Sequence, residues 1–133
     1  MHIKEFFKND RFAALAGIEL TDVSKGYAKA RMKVTPAHLN AVNSAQGGAI
    51  FTLADLAFAA ASNSHGTVAV AINVSISYMK AVSEGYLYAE ARELSKNPKL
   101  GTYTVDVKDE KGDLVALFQG MAYRKKDPLE IEL

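Results

Sequence analysis

The sequence contains no cysteine, and its positive and negative charges nearly cancel. Without cysteine there is no disulfide framework, no thiolate metal site and no cysteine nucleophile. A formal net charge of +1 gives no overall attraction to nucleic acid or to an acidic membrane surface. A chain without cysteine suits the cytoplasm, which is where we expect this protein to work.

Long hydrophobic runs are also absent. The most apolar stretch covers residues 47–61, which is too short to span a bilayer and carries Asp55 near its centre. Residues 1–10 mix charged and apolar side chains, so no signal peptide is predicted. With 49% hydrophobic and 23% charged residues, the chain has the composition of a single soluble globular domain, predicted to span residues 1–133.

Hydrophobic periodicity predicts one helix before and one helix after a pair of strands. Apolar residues at three- and four-residue spacing favour an amphipathic helix over residues 2–16, ending near Gly17. Strand patterns follow at 18–23 and 27–34, and a loop without periodicity comes next. Residues 49–61 contain much alanine and leucine and are apolar on nearly all sides, which favours a helix enclosed by other structure.

The rest of the chain has a β pattern. Strands are predicted, in chain order, over residues 68–80, 86–94, 101–109 and 114–125. Because no helix separates them, these strands are expected to form a meander in an antiparallel sheet. The long apolar helix needs cover on most sides. We therefore predict an α+β fold in which a strongly curved antiparallel sheet wraps around one central helix.

Asp55 is the most informative residue of the sequence. An unpaired carboxylate within an apolar helix either costs on the order of several kcal/mol to desolvate or takes up a proton. A lone Asp in a helix usually points to solvent or is capped by a neighbouring donor. The apolar residues around Asp55 favour a functional carboxylate instead.

Gly47 and Gly48 stand at the start of the same helix. The first turn of a helix leaves backbone N–H groups unpaired, and glycine lets a ligand approach them closely enough to stabilise an oxyanion. Alternatively, the two glycines only permit a tight turn. Gly47 and Asp55 are eight positions apart, about 12 Å along a helix, so one carbonyl group cannot contact both. If both serve one reaction, they come from two copies of the chain at a two-fold interface.

Several segments resemble one branch of a known family. Asn40 lies in the loop, Gln46 precedes Gly47-Gly48, Asp55 follows in a Leu-Ala-Asp motif, and a later strand ends in Ile76-Ser77-Tyr78-Met79-Lys80. This pattern is similar to that of the hotdog-fold acyl-CoA thioesterases of the phenylacetate pathway, over nearly the whole chain. The resemblance implies a hotdog fold and hydrolysis of an acyl-CoA thioester. CoA is then part of the substrate, and no cofactor is expected. From the separation of Gly47 and Asp55 and the need to cover the apolar helix, we expect a homodimer or a homotetramer of paired dimers.

The resemblance further implies roles for individual residues. Asp55 is expected to be the base or nucleophile, and the Gly47 N–H of a partner chain to polarise the thioester carbonyl. Asn40 is expected to orient the water or the acyl group. Gln46 stands where the family has histidine, so its amide can form hydrogen bonds but cannot titrate near neutral pH. Substrate contacts are expected at Gly48, Asn63 and Lys80.

No metal site is predicted, because His2, His38 and His65 lack the spacing of metal ligands. Two other functions stay open. A hotdog dehydratase of hydroxyacyl thioesters needs a histidine beside a carboxylate, and Gln46 removes the most obvious histidine. A non-catalytic module that binds acyl-CoA is the second alternative, although no DNA-binding segment of a sensor is visible.

Overall fold

In a computed structural model of the chain, which describes residues 1–133, six strands form one antiparallel sheet around a 16-residue helix. The elements are α1 (Ile3–Phe7), α2 (Arg11–Leu15), β1 (Ile18–Ser24), β2 (Tyr27–Val34), α3 (Gly47–Ser62), β3 (Thr67–Tyr78), β4 (Gly85–Lys96), β5 (Leu100–Lys108) and β6 (Leu114–Pro128). Helix α3 contacts all six strands. The predicted α+β arrangement is therefore confirmed.

The strand order is β1-β2-β4-β5-β6-β3. The predicted meander is correct for β4, β5 and β6 but wrong for β3, which pairs with β6 instead of its chain neighbour β4. The reason is that α3 crosses the sheet between β2 and β3 and delivers the chain to the opposite edge. As a result β3 is an edge strand, with one side free of any partner strand.

The N-terminal helix predicted over residues 2–16 is in fact two short helices. The Oδ1 atom of Asp10 accepts a hydrogen bond from the Ala13 N–H at 3.0 Å and so caps the start of α2. This local bond competes with a continuous helix, which explains the break. Both short helices pack against β1, and no helix of the structure is long and apolar enough to cross a bilayer.

Close packing fixes the position and rotation of α3. The Phe58 ring lies 5.6 Å from the Tyr103 ring and 5.5 Å from the Phe118 ring, between centroids. A side chain at Gly120 would have its Cβ 2.8 Å from the Phe58 ring, so only glycine leaves room for that ring. The apolar side of the helix faces the sheet in this way. A less buried stripe faces away from it, and consists of Gly48, Thr52, Asp55 and Ala59.

Candidate active site

Helix α3 begins at Gly47, two residues before the predicted start, so both glycines lie in its first turn. The Oε1 atom of Gln46 accepts the Gly48 N–H and caps the helix. The Gly47 N–H has no acceptor within the chain. It is a backbone donor at the positive end of the helix dipole, free to bind the oxygen of a ligand.

Tyr78, at the end of β3, holds Gly47 from the other side. Its hydroxyl donates a hydrogen bond to the Gly47 carbonyl oxygen at 2.8 Å. A Cβ atom on Gly47 would lie 3.0 Å from both the ring and the hydroxyl of Tyr78, so the ring takes the place of a side chain. Burial raises the pKa of Tyr78, which keeps the hydroxyl protonated as a donor. The sequence contains no signal for this contact, because 31 positions separate the two residues.

A cavity of about 400 Å³ lies beside this contact and brings three predicted residues together. Asn40, Gly47 and Lys80 line it along with Tyr78. The Asn40 Oδ1 atom accepts the N–H groups of Val42 and Ser44 at 3.0 and 3.2 Å. The carbonyl oxygen of this side chain therefore orders the loop. Its Nδ2 group donates to the Ser44 Oγ atom at 3.3 Å and has a second N–H that can donate to a substrate.

Asp55 lies outside that cavity, on the less buried stripe of α3. Burial raises the pKa of its carboxyl group, and the nearby Asp10 carboxylate raises it further. No hydrogen bond or ion pair within the chain compensates the charge. A half-buried carboxylate of this kind, with a perturbed pKa and no structural partner, is typical of catalytic groups.

Gln46 and Gly48 line a second cavity, of about 670 Å³, which opens along the same stripe. Thr52 continues its wall toward Asp55, and α2 contributes the apolar side chains of Phe12 and Leu15. These two side chains are 67% and 83% exposed, which is unusual for residues of their size. The cavity therefore has an apolar wall that no part of the same chain covers.

Lys80 and Asn63, both predicted to contact substrate, take part in contacts within the fold. The Lys80 Nζ atom lies 2.5 and 2.7 Å from the carboxylates of Asp109 and Asp113, which balance its charge. The Asn63 amide donates to the carbonyl groups of α3 and of Ala69, and accepts the Ala69 N–H at 2.8 Å. Asn63 is buried and ties the end of α3 to β3, away from Gly47.

The histidines also have contacts within the fold. The His38 Nε2 atom lies 2.6 Å from the Ala16 carbonyl oxygen and joins the loop to the end of α2. The His65 Nε2 atom lies 2.8 Å from a Glu93 carboxylate oxygen, beyond the far end of α3. No three His, Asp or Glu side chains are grouped as metal ligands would be.

A curved sheet around one central helix, with a glycine pair at the helix start, defines the hotdog class. Residues 43–116 match the model of the Thioesterase superfamily, and the chain belongs to this family. A protein of Archaeoglobus fulgidus is 49% identical over 124 residues, which cover 92% of this chain and 80% of that protein. The acyl-coenzyme A thioesterase PaaI of Escherichia coli K12 is 35% identical over 119 residues, covering 89% and 85%.

Solved structures agree with this assignment. The structure of the E. coli PaaI protein from the phenylacetic acid degradation operon has a TM-score of 0.89 at 33% identity, covering 93% of this chain and 91% of that one. A single-residue variant of phenylacetic acid degradation protein PaaI from Thermus thermophilus has a TM-score of 0.84 at 35% identity, covering 87% and 100%. The resemblance drawn from the sequence motifs, and the hotdog fold it implied, are confirmed.

Proposed function

We propose that this chain hydrolyses acyl-CoA thioesters to a free acid and CoA. The observation that carries the proposal is Asp55, an unpaired, half-buried carboxylate on the helix whose first turn offers the free Gly47 N–H. Membership of the thioesterase superfamily and the similarity to the acyl-coenzyme A thioesterase PaaI support the choice of reaction and substrate.

The proposed site contains residues from two chains. Gly47 and Asp55 are separated by about 12 Å on one helix, which is too far for a single carbonyl group. The free edge of β3 offers backbone groups for pairing with a second copy, and Val70 and Ile72 on this strand are 42% and 55% exposed. Antiparallel pairing of two β3 strands brings two α3 helices side by side. Each Gly47 then faces the Asp55 of the partner, and a dimer has two sites.

In this arrangement the thioester carbonyl oxygen accepts the Gly47 N–H. The partner's Asp55 either removes a proton from a water molecule that attacks the carbonyl carbon, or attacks that carbon itself and forms an anhydride that water opens. The C–S bond breaks, and CoA leaves as a thiolate that takes up a proton. One backbone donor to the developing oxyanion contributes on the order of a hundredfold in rate. Asn40 donates through Nδ2, and Gln46 acts by holding the first turn of α3.

The apolar wall of Phe12 and Leu15 favours an acyl group of aryl or of short to medium aliphatic type. The test is release of free thiol from phenylacetyl-CoA, benzoyl-CoA and a series of aliphatic acyl-CoAs. Turnover of at least one substrate is the expected result. Tight binding of all of them without turnover would support the non-catalytic module.

The dehydratase alternative has a separate test. No histidine lines the cavity that contains Gly47. His38 lines the second cavity, but both of its ring nitrogens are in contact with backbone groups of Thr35 and Ala16, so neither cavity offers a free histidine as the partner of a dehydratase carboxylate. We expect 3-hydroxyacyl-CoA to lose CoA by hydrolysis and to form no enoyl-CoA, which is measured by the absorbance of the conjugated thioester.

A further inference from the structure

A third cavity is an open groove of about 570 Å³ at the opposite end of β3 from Gly47, where β3, β6 and the turn between β4 and β5 meet. It has no hydrophobic lining residue, and its charged residues are all cations: Lys96, Arg124, Lys125 and Lys126. We call it the basic groove. None of these cations forms an ion pair, whereas Lys80 near Gly47 is held by two carboxylates. Positive charge without a counter-charge favours an anionic ligand.

The groove is an ordered part of the fold. Arg124 donates from its guanidinium to the Asn97 carbonyl oxygen at 2.7 Å. The Asn97 side chain accepts the N–H groups of Lys99 and Leu100 at 2.9 and 2.8 Å, which fixes the turn. Lys96, the last residue of β4, is exposed beside this turn.

The groove also opens on the same face of the sheet as α3. Phe118, Gly120 and Ala122 are buried on that face of β6. Because side chains alternate along a strand, Arg124 continues this face past the end of the helix. The candidate active site and the basic groove are therefore accessible from one side of the molecule.

We propose that the basic groove binds the phosphate groups of the CoA whose thioester is bound at Gly47 of the other protomer. The proposal rests on the thioesterase function and shared site described above. It assigns to these cations a contact with the substrate, as was expected of Lys80. Phosphate is the chemistry that fits, since several Lys and Arg side chains can each donate charge-assisted hydrogen bonds to its oxygens.

The dimensions favour the partner's groove over the groove of the same chain. Ala69, which pairs with Arg124 of the groove, and Tyr78, on the cavity, are nine residues apart on one strand, or about 30 Å. The extended arm of CoA between sulfur and phosphate reaches only on the order of 15 Å, by the bond lengths of amide chains. One CoA cannot bridge the two within a protomer.

In the proposed dimer the distance is shorter. The two-fold axis passes midway between Gly47 and Asp55, beside Phe51. Since α3 runs antiparallel to β3, from Gly47 beside Tyr78 to Asn63 beside Ala69, this midpoint lies next to residues 75–76 of β3. The partner's Ala69, which pairs with Arg124 of the basic groove, then lies roughly four residues beyond Tyr78, or about 13 Å along the strand direction. This distance matches the reach of the CoA arm.

The kinetic test uses the double variant Lys96→Gln/Lys126→Gln in the full-length protein, with Lys25→Gln in the exposed β1–β2 turn as a matched control. We expect the KM for acyl-CoA to rise about tenfold or more, as for the loss of charge-assisted phosphate contacts. The kcat stays unchanged, as do the kinetics with the corresponding acyl-pantetheine, which lacks the phosphates. An unchanged KM for acyl-CoA, or an equal rise for acyl-pantetheine, overturns the proposal.

A binding test separates this proposal from the proposed function. Adenosine 3′,5′-bisphosphate carries phosphate groups of CoA but no thioester, so its binding by calorimetry does not depend on catalysis. Binding that is lost in the double variant and kept in Lys25→Gln supports the basic groove, even if no acyl-CoA is hydrolysed. Equal binding by all three proteins overturns it, even if the protein is an active thioesterase.

Mixed dimers test which protomer contributes each part of a site. In the proposal, Asp55 and the basic groove of one site come from the same chain, and Gly47 comes from the other chain. When Asp55→Asn and Lys96→Gln/Lys126→Gln are placed together in one subunit and the other is unchanged, the mixed dimer retains one intact site with the parental KM. When they are placed in different subunits, the remaining active site has the raised KM. The same KM in both mixed dimers contradicts the arrangement.

Discussion

The Tyr78 hydroxyl donates a hydrogen bond to the Gly47 carbonyl oxygen at 2.8 Å, and the Tyr78 ring occupies the space that a side chain at Gly47 would need. The last residue of β3 therefore sets the orientation of the first residue of α3. The proposed oxyanion donor is the N–H of that same glycine. The direction of this N–H therefore depends on β3, a strand that comes after α3 in the sequence.

Tyr78→Phe keeps the ring and removes the hydroxyl. We expect kcat to fall about fivefold, which corresponds to a single neutral hydrogen bond of about 1 kcal/mol, with little change in KM. Gly47→Ala forces the ring aside and should lower kcat by about a hundredfold, the scale of one oxyanion donor. Tyr123→Phe, on the exposed part of β6, serves as control. Parental kcat in Tyr78→Phe would show that the contact does not position the site.

Asp55→Asn nearly preserves shape and removes the charge. Loss of a general base lowers kcat by about a hundredfold or more. Because burial raises the pKa of Asp55, the folded protein binds this proton more tightly than the unfolded chain, and stability falls as the pH rises through the raised value. The variant avoids that loss, so its Tm at neutral pH should equal or exceed the parental Tm. Asp22→Asn, an exposed substitution, is the control. Unfolding of Asp55→Asn would identify a structural residue.

The pH dependence of the rate tests the electrostatic effect of Asp10 on Asp55. The ionised form of Asp55 is the active one, and its raised pKa places the acidic limb of the kcat/KM profile above the usual range of a carboxyl group. Asp10→Asn removes the negative charge that contributes to this shift, while asparagine still caps α2. We expect the acidic limb to move to lower pH. An unmoved limb would mean that the two carboxyl groups do not interact in the assembled protein.

Gln46 acts on the helix start in this structure, as the acceptor for the Gly48 N–H. Gln46→Ala removes the cap and should lower kcat severalfold and the free energy of unfolding by about 1 kcal/mol. Gln46→His should keep both near the parental values. His2 shows that histidine can cap in the same way, since its Nδ1 accepts the N–H two residues on at 3.1 Å. Equal kinetics and stability in all three proteins would exclude a role for this position.

Assembly is tested at the free edge of β3. Ile72→Lys places a charge on an exposed apolar position of β3 that the proposed interface would bury without a counter-charge. We expect a monomer by light scattering at micromolar concentration, together with loss of activity. Leu94→Lys, at an exposed position of β4, should leave the dimer and the activity unchanged. A fully active monomer would contradict the shared site.

The sequence predicts those parts of the fold that depend on local pattern. The buried helix, the strands and Gly47 at the helix start are all readable, because periodicity and turn chemistry are local. The position of β3 is not, since pairing with β6 depends on contacts about 40 residues or more apart that no local pattern encodes. For the same reason the sequence does not predict the contact between Tyr78 and Gly47. Nor does it predict that Asp109 and Asp113 form ion pairs with Lys80.

The position of β3 in the sheet also constrains the order in which the chain can fold during synthesis. Its only partner within the chain is β6, so residues 67–78 emerge from the ribosome well before residues 114–128 can pair with them. Until then neither edge of β3 has a partner strand within the chain, and β6 later pairs with one of them. If two copies pair through β3 as proposed, we expect them to do so only after each chain has been translated through β6.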